Sequence, residues 1–207
     1  MRPRTVFFKA IASAISIGSG GSIGREGPIV QIGSAAGSSI AQWLKLDEYK
    51  TKILLGCGAA GGIAATFNTP IAGIIFALEI ILLELKSRSF MALTLASFFA
   101  TIVSRIFLGS TPAFPIPAYE FASIYETILY LILGILAGFT GLILMRTLYK
   151  TESLFDNISI PAYAKPAIGG LIVGIIGYFF PQVFGVGYET IEKMLNQELL
   201  IKTTLLL

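Results

Sequence analysis

The sequence predicts an all-α, multi-pass membrane protein with broken and tilted helices. Of the 207 residues, 55% are hydrophobic and only 13% are charged, and the mean hydropathy is +0.80. A soluble domain carries about 25% charged residues, so this composition indicates a chain that crosses a bilayer several times. Several apolar runs are shorter than the ~20 residues of a simple spanning helix, and glycine or proline interrupts others.

Uncharged runs mark the membrane segments, at roughly 10–24, 27–44, 53–78, 89–104, 127–145 and 166–188. The third run contains Asn68-Thr69-Pro70. Proline cannot continue a helix but suits its first turn, so we expect two helices here, at about 51–66 and 69–85. Glycine pairs at a spacing of four allow close helix contact in lipid. These pairs are Gly20/Gly24, Gly33/Gly37, Gly58/Gly62, Gly134/Gly138 and Gly170/Gly174. Interrupted helices are typical of channels and transporters.

Basic residues divide the connecting loops into two classes. Three loops carry lysine or arginine, at Lys45, Lys50 and Lys52, at Lys86 and Arg88, and at Arg146, Lys150 and Lys165. The loop 109–126 carries neither residue type, but contains Glu120 and Glu126. Because cytoplasmic loops are enriched in lysine and arginine, we expect the first three loops to be cytoplasmic and 109–126 to be external.

The residue types that are missing exclude several functions. The chain has no histidine and a single cysteine, Cys57. This removes most metal sites, the usual histidine-activated nucleophiles and any internal disulfide. The net charge of +3 is too small and too scattered for a nucleic-acid interface. We therefore expect no enzymatic activity, no metal, no cofactor and no nucleic-acid partner.

A charged dipeptide, Arg25-Glu26, lies within the glycine-rich stretch GSGGSIGREGPIVQIGS, from Gly18 to Ser34. A flexible linker would leave backbone groups unsatisfied in lipid unless it lined a polar site. The spacing of phosphate-binding loops is absent. Gly20 to Gly24 fits the G-x-S-x-G pattern of serine hydrolases, but the chain has no histidine to act as the base. An Arg25–Glu26 pair that only stabilises the loop is a further alternative.

Pro28 is typical of the first turn of a helix, which we expect to cover about 27–43. A helix N-terminus buried in a membrane binds anions, because its unpaired N–H groups carry about +0.5 charge. Glu26 is itself an anion and can occupy such a site until a proton or a competing anion displaces it. An ionisable residue within a membrane is a functional candidate by default.

The same stretch resembles the G-[KR]-E-G-P signature of the CLC family of chloride channels and anion/proton exchangers. GAAGGIAATFNTPIAGIIFALE, from Gly58 to Glu79, resembles the helix pair that follows this signature in the family. FGVGYETI, from Phe184 to Ile191, resembles the segment that leads towards the next pore motif. The resemblance covers essentially the whole chain, in order. The competing classes are a membrane-embedded enzyme, which the lack of histidine disfavours, and a structural membrane subunit.

The resemblance implies a CLC-type inverted-repeat fold, present here in part, and a homodimer with one pore in each subunit. The implied organisation has three parts. Residues 1–108 form the latter part of the first inverted half, and they contain the pore motif Gly18–Pro28, the helix pair 51–85 and the helix 89–108. Residues 109–119 form an external loop, and residues 120–207 form the opening part of the second half. The family's G-S-G-I-P motif is expected before Met1 and its G-x-F-x-P motif beyond Leu207. We therefore expect a fragment of the membrane domain or an incomplete gene product.

The implied function is selective transport of chloride or similar small anions across a lipid bilayer, with the plasma (inner) membrane as the expected location. Backbone amides in the region of Gly24, Arg25, Gly27 and Pro28 would hold the anion. Glu26 would be the gate, blocking the outer anion site when ionised, and Arg25 would raise the local positive potential. The subunit contact would use helices 69–85 and 89–108, whose apolar faces contain Ile74, Ile75, Leu78, Leu82 and Phe98.

Proton coupling is the point at which this sequence departs from many exchangers of the family. Those exchangers carry two consecutive glutamates at the inner end of the helix that ends the second motif, and the second glutamate passes protons. Here Glu79 matches the first glutamate and Ile80 stands at the second. Glu84, five residues beyond Glu79, would point elsewhere on an α-helix. Passive conduction is therefore favoured, and the alternative is a chloride/proton antiporter without the inner proton glutamate.

Overall fold

The structure, a computed structural model, describes residues 2–111, 123–161 and 163–196. Within these ranges the chain forms α-helices and no strand, which confirms the predicted all-α class. The helices are α1 Arg4–Gly18, α2 Glu26–Trp43, α3 Glu48–Phe67, α4 Pro70–Phe76, α5 Ser87–Leu108, α6 Tyr125–Asn157, α7 Lys165–Phe179 and α8 Tyr188–Leu195. A π-helical turn, Ala77–Leu82, continues α4, and a 3₁₀ turn, Pro181–Val183, precedes α8.

The chain divides into two compact units. The first unit contains α1 to α5 together with α8, and the second contains α6 and α7. The glycine-rich stretch that carries Arg25 and Glu26 lies in the first unit. Most of the expected external loop, 109–119, falls outside the described residues, and the division into inverted halves at 1–108 and 120–207 stays a prediction.

The predicted break between two helices is present at Asn68 to Pro70. Asp47 begins α3 as its N-cap, since its carboxylate accepts a hydrogen bond from the backbone N–H of Lys50 at 2.8 Å. Asn68 ends α3 in the left-handed conformation, with φ of 57°. Pro70 then occupies the first turn of α4, where its missing N–H costs no hydrogen bond.

The most extensive helix contact of the first unit is between α2 and α3, where two backbones approach closely. A Cβ atom added at Gly33 would overlap the carbonyl of Gly58, and a Cβ at Gly58 would overlap the carbonyl of Gly33. Gly37 lies equally close to the carbonyl of Leu54. The predicted close contact through the Gly33/Gly37 and Gly58/Gly62 pairs is therefore confirmed.

The other glycine pairs have different surroundings. Gly20 and Gly24 lie in the connection between α1 and α2, so the expectation that they form a helix contact is wrong. The pairs in α6 and α7 have no heavy atom within 4 Å of an added Cβ among the contacts that the structure describes.

The end of α4 departs from the predicted helix 69–85. The α-helix widens at Ala77 into the π-helical turn, and Leu83 adopts the left-handed conformation with φ of 55°. Helical structure therefore ends at Leu82 and not at residue 85. The side chains of Leu78, Leu82 and Leu93 are buried in one apolar cluster between α3, the π turn and α5.

Two helices of the described residues are long and apolar enough to cross a membrane, namely α5 and α6, with mean hydropathies of 1.8 and 2.5. Two shorter apolar segments accompany them, Pro70–Leu82 and Lys165–Phe179. The prediction of which apolar side chains form the subunit contact is partly wrong. Ile74, Leu78 and Leu82 are buried inside the unit, whereas Ile75 and Phe98 are 53% and 56% exposed.

Candidate functional site

The connection between α1 and α2 is a tight turn that presents the start of α2. Gly20 has a φ of +90°, which side chains other than glycine rarely adopt. The N–H of Gly21 donates to the Ser16 carbonyl at 3.0 Å and reverses the chain. The N–H of Ile23 donates to the carbonyls of Gly21, at 2.9 Å, and Gly185, at 3.3 Å. The segment before α8 is therefore held against the turn by a backbone hydrogen bond.

The N-terminus of α2 has the properties of an anion site. The helix begins at Glu26, which confirms the predicted start within one residue. Within the described part of the chain, the backbone N–H groups of Arg25, Glu26 and Gly27 have no backbone acceptor. These donors carry the positive end of an 18-residue helix dipole. Pro28 has no N–H, so it fixes the first turn but cannot donate, contrary to our inclusion of it among the amides.

The side chain of Glu26 folds back over the turn that precedes its own helix. A Cβ atom added at Gly24 would overlap Oε2 of Glu26. Glycine at position 24 therefore leaves the space that the carboxylate occupies. The carboxylate is half-buried, as is the side chain of Arg25.

Tyr188, at the first position of α8, joins the two charged residues. Its hydroxyl donates to Oε1 of Glu26 at 2.8 Å and accepts from Nε of Arg25 at 3.3 Å. The guanidinium carbon of Arg25 lies 4.5 Å from the centroid of the Tyr188 ring and 5.9 Å from that of Phe67. Both distances fall within the range of cation–π interactions.

The contacts described above do not include a simple ion pair between Arg25 and Glu26. In the described ranges, the ion pairs are Asp47–Lys50 at 2.8 Å and Glu84–Lys86 at 2.7 Å. Arg25 instead approaches Glu26 through the hydroxyl of Tyr188. Sequence reasoning missed Tyr188, although it lies in the recognised FGVGYETI segment, because no local pattern shows that a residue 162 positions away meets Glu26.

The inner candidate residues Glu79 and Ile80 both lie in the π turn. Glu79 lines a cavity of about 560 Å³ together with Glu84, and Ile80 is 58% exposed. The expectation that Glu84 points away from Glu79 assumed a continuous α-helix through residue 84, which the structure does not have. The π turn and the left-handed Leu83 bring both carboxylate residues to one cavity.

Glu84 is held in place by its neighbours in the connection before α5. It accepts from Ser89 at 3.3 Å and pairs with Lys86. The hydrogen bond from Lys86 lowers the pKa of the Glu84 carboxyl below its ordinary value. No group of three His, Cys, Asp or Glu side chains that could hold a metal ion occurs among the residues that the structure describes.

Together, the helices and the site define a class: an all-helical membrane protein with a helix N-terminus suited to an anion. Residues 1–207 match the family described as "Voltage gated chloride channel". The chain belongs to this family, the CLC family, and its apolar helices fit an integral membrane protein.

Related proteins agree with this assignment. The chain is 34% identical, over 95% of its length, to chloride channel protein CLC-e of Arabidopsis thaliana, and spans 29% of that protein. It is 30% identical, over 91% of its length, to the voltage-gated ClC-type chloride channel ClcB of Escherichia coli, and spans 45% of it. Among solved structures, a slow cyanobacterial Cl⁻/H⁺ antiporter matches the whole chain with a TM-score of 0.87 and 26% identity, and the match covers 49% of that protein.

Proposed function

We propose that this chain carries the gated part of a chloride-selective pore, and that Glu26 is the gate. The observation that carries the proposal is that Glu26 is the first residue of α2, where the N–H groups have no backbone acceptor, and that its carboxylate lies over Gly24 in the preceding turn. An anion such as chloride would be stabilised by the same donors. The family assignment supports a transport protein and gives no support to an enzyme.

The proposed gating is a competition between two anions for one helix end. The ionised Glu26 carboxylate and a chloride ion cannot both occupy the donors of Arg25, Glu26 and Gly27. Protonation removes the charge of the carboxylate and so weakens its attraction to the helix dipole. The guanidinium of Arg25 adds positive potential next to the site. Acid should therefore open the gate.

The first test replaces Glu26 by glutamine in the complete protein. Glu26→Gln has the shape of a protonated glutamate and cannot ionise, so we expect chloride efflux from liposomes to lose most of its acid activation. The measurement is efflux as a function of pH for the wild type and the variant. An unchanged pH dependence would rule out Glu26 as the gate, and equal purified yields and melting temperatures are the control.

Passive conduction is the transport mode that we favour. Ile80 cannot carry a proton, and it occupies the position at which many exchangers of the family have their inner glutamate. The competing mode is chloride/proton antiport, which the similarity to the cyanobacterial antiporter favours. In liposomes, a chloride gradient should leave the internal pH unchanged if conduction is passive. Uphill proton movement in a fixed ratio to chloride would show antiport instead.

The remaining parts of the proposal concern the whole protein. The chain spans 45% or less of the two curated relatives described above, so its partners and membrane are inferred for a larger protein. We propose a homodimer in the plasma (inner) membrane, built from two inverted halves to which 1–108 and 120–207 contribute. The exposed apolar side chains of α4 and α5 support a subunit contact on those helices.

A further inference from the structure

The hydroxyl of Tyr188 contacts two side chains of opposite charge. It donates to the Glu26 carboxylate at 2.8 Å and accepts from the Arg25 guanidinium at 3.3 Å. We propose that Tyr188 is a positioning residue that holds the ionised Glu26 in the closed position and so sets the pH at which the pore opens. This inference rests on the proposed role of Glu26 as the gate.

The hydrogen bond favours the ionised form of the gate. A carboxylate is a stronger acceptor than a neutral carboxylic acid, and hydrogen bonds to charged groups are shorter and about twice as strong as neutral ones. The Arg25 cation polarises the hydroxyl that it donates to, which strengthens the donation to Glu26. When Glu26 takes up a proton, this interaction weakens, and the carboxyl group is released from α8.

The orientation of Tyr188 does not depend on its hydroxyl alone. Gly187, which precedes it, has a φ of +80° and is the N-cap residue of α8. The backbone bond from Ile23 to Gly185 holds the same segment against the turn before α2. The ring of Tyr188 also contacts the Arg25 guanidinium. Removal of the oxygen should therefore leave the ring and the helix in place.

The groups near Glu26 come from three elements. In the described parts of the chain, the Tyr188 hydroxyl of α8 contacts Glu26, Arg25 before α2 contacts the same hydroxyl, and the uncharged ring of Phe67 on α3 contacts Arg25. Glu189, Glu192 and Lys193, also on α8, form no ion pair with Arg25 or Glu26 within the described ranges. The pH dependence of the gate should therefore respond mainly to changes at Arg25 and Tyr188.

The test is Tyr188→Phe in the complete protein, measured as chloride efflux from liposomes across a range of pH. The variant loses one hydrogen bond to a charged, half-buried group, so we expect half-maximal activation to shift upward by about 0.5 to 1 pH unit. At neutral pH the efflux should rise roughly threefold to tenfold. Tyr49→Phe is the matched control, because it makes the same chemical change near Ser89 and Lys86 and should leave the profile unchanged.

Two further variants separate the possible outcomes. In the Glu26→Gln background, Tyr188→Phe should cause no further change in chloride efflux. An equal change in efflux in both backgrounds would show that Tyr188 has a merely structural role. A wild-type pH profile for Tyr188→Phe, with a flat profile for Glu26→Gln, would overturn the role of Tyr188 and leave the gate intact. An unchanged profile for Glu26→Gln would overturn the gate itself.

A second substitution, expected to shift the pH of half-maximal activation in the opposite direction, keeps the test decisive if Tyr188→Phe does not fold. A 3-fluorotyrosine at position 188 keeps the ring and the hydroxyl, and its hydroxyl is the stronger donor. We expect half-maximal activation to move to lower pH. A shift to higher pH, or no shift, would contradict the proposal.

Discussion

The carboxylate of Glu26 lies in the space that a side chain at position 24 would need. A Cβ at residue 24 would overlap Oε2 of Glu26, so a side chain at position 24 and the observed position of the Glu26 carboxylate exclude each other. Gly27, on the other side of Glu26, has no heavy atom within 4 Å of an added Cβ in the described structure. The two glycines of the G-R-E-G-P motif therefore differ. A side chain at position 24 would overlap the Glu26 carboxylate, whereas position 27 has room for one.

Gly24→Ala should consequently open the pore. The added methyl displaces the ionised Glu26 from the helix end, so we expect chloride efflux at neutral pH to rise and its acid activation to shrink. Efflux from liposomes at pH 7 and at pH 5 measures both effects. Gly27→Ala is the matched control and should keep the wild-type ratio of efflux at pH 5 to efflux at pH 7. Equal efflux ratios for the two variants would contradict the steric role of Gly24.

At the scale of the helices, α2 and α3 meet through backbone atoms. Gly33 and Gly58 face each other so closely that neither accepts a Cβ without a shift of one helix. Close backbone approach of this kind is a principal source of stability for helices in lipid, where apolar side chains gain little from association. Because Glu26 begins α2, the position of the proposed gate depends on this contact.

We expect Gly58→Ala to destabilise the protein by about 1 to 3 kcal/mol, the usual range for overpacking a tight contact. The helix must move away from Gly33 or distort. Thermal unfolding of the purified protein in detergent measures the change. Gly134→Ala in α6 is the matched control, since nothing contacts an added Cβ there, and alanine should instead stabilise that helix slightly. Equal melting temperatures for wild type and Gly58→Ala would refute the contact.

The sequence predicted those features of the helices that depend on local chemistry. Pro70 and Asn68 mark a break that the structure reproduces, because proline and left-handed asparagine act through their own backbones. The π turn at Ala77–Leu82 was not predictable, since its residues, ALEIIL, suit an ordinary α-helix equally well. Tyr188 was missed for a different reason, namely that its contact with Glu26 depends on the fold of the whole first unit.

At the scale of the whole molecule, large apolar side chains remain exposed on the outer faces of the helices. Ile75 on α4 and Phe98 on α5 are among them, whereas their neighbour Ile74 is buried. Lipid or a second subunit would cover such faces in a membrane. The exposed and buried positions on α4 therefore provide a direct test of the proposed homodimer.

Ile75→Cys should form a disulfide-linked dimer in native membranes when the background contains no other cysteine. Ile74→Cys, one residue away but 7% exposed, is the matched control and should remain monomeric. Gel electrophoresis without reductant, after mild oxidation, measures the dimer. A monomer at Ile75→Cys and also at Phe98→Cys would count against a subunit contact on α4 and α5.

The hydrogen bond between Tyr188 and Glu26 also fixes an order of events during biosynthesis. The two residues are 162 positions apart, and ribosomes add about 5–20 residues each second. Glu26 is therefore added to the chain roughly 8 to 30 s before Tyr188. During this interval α1 to α5 can insert and pack while the carboxylate lacks its hydroxyl donor. The newly made protein thus forms the N-terminus of α2 before it can form the hydrogen bond between Tyr188 and Glu26.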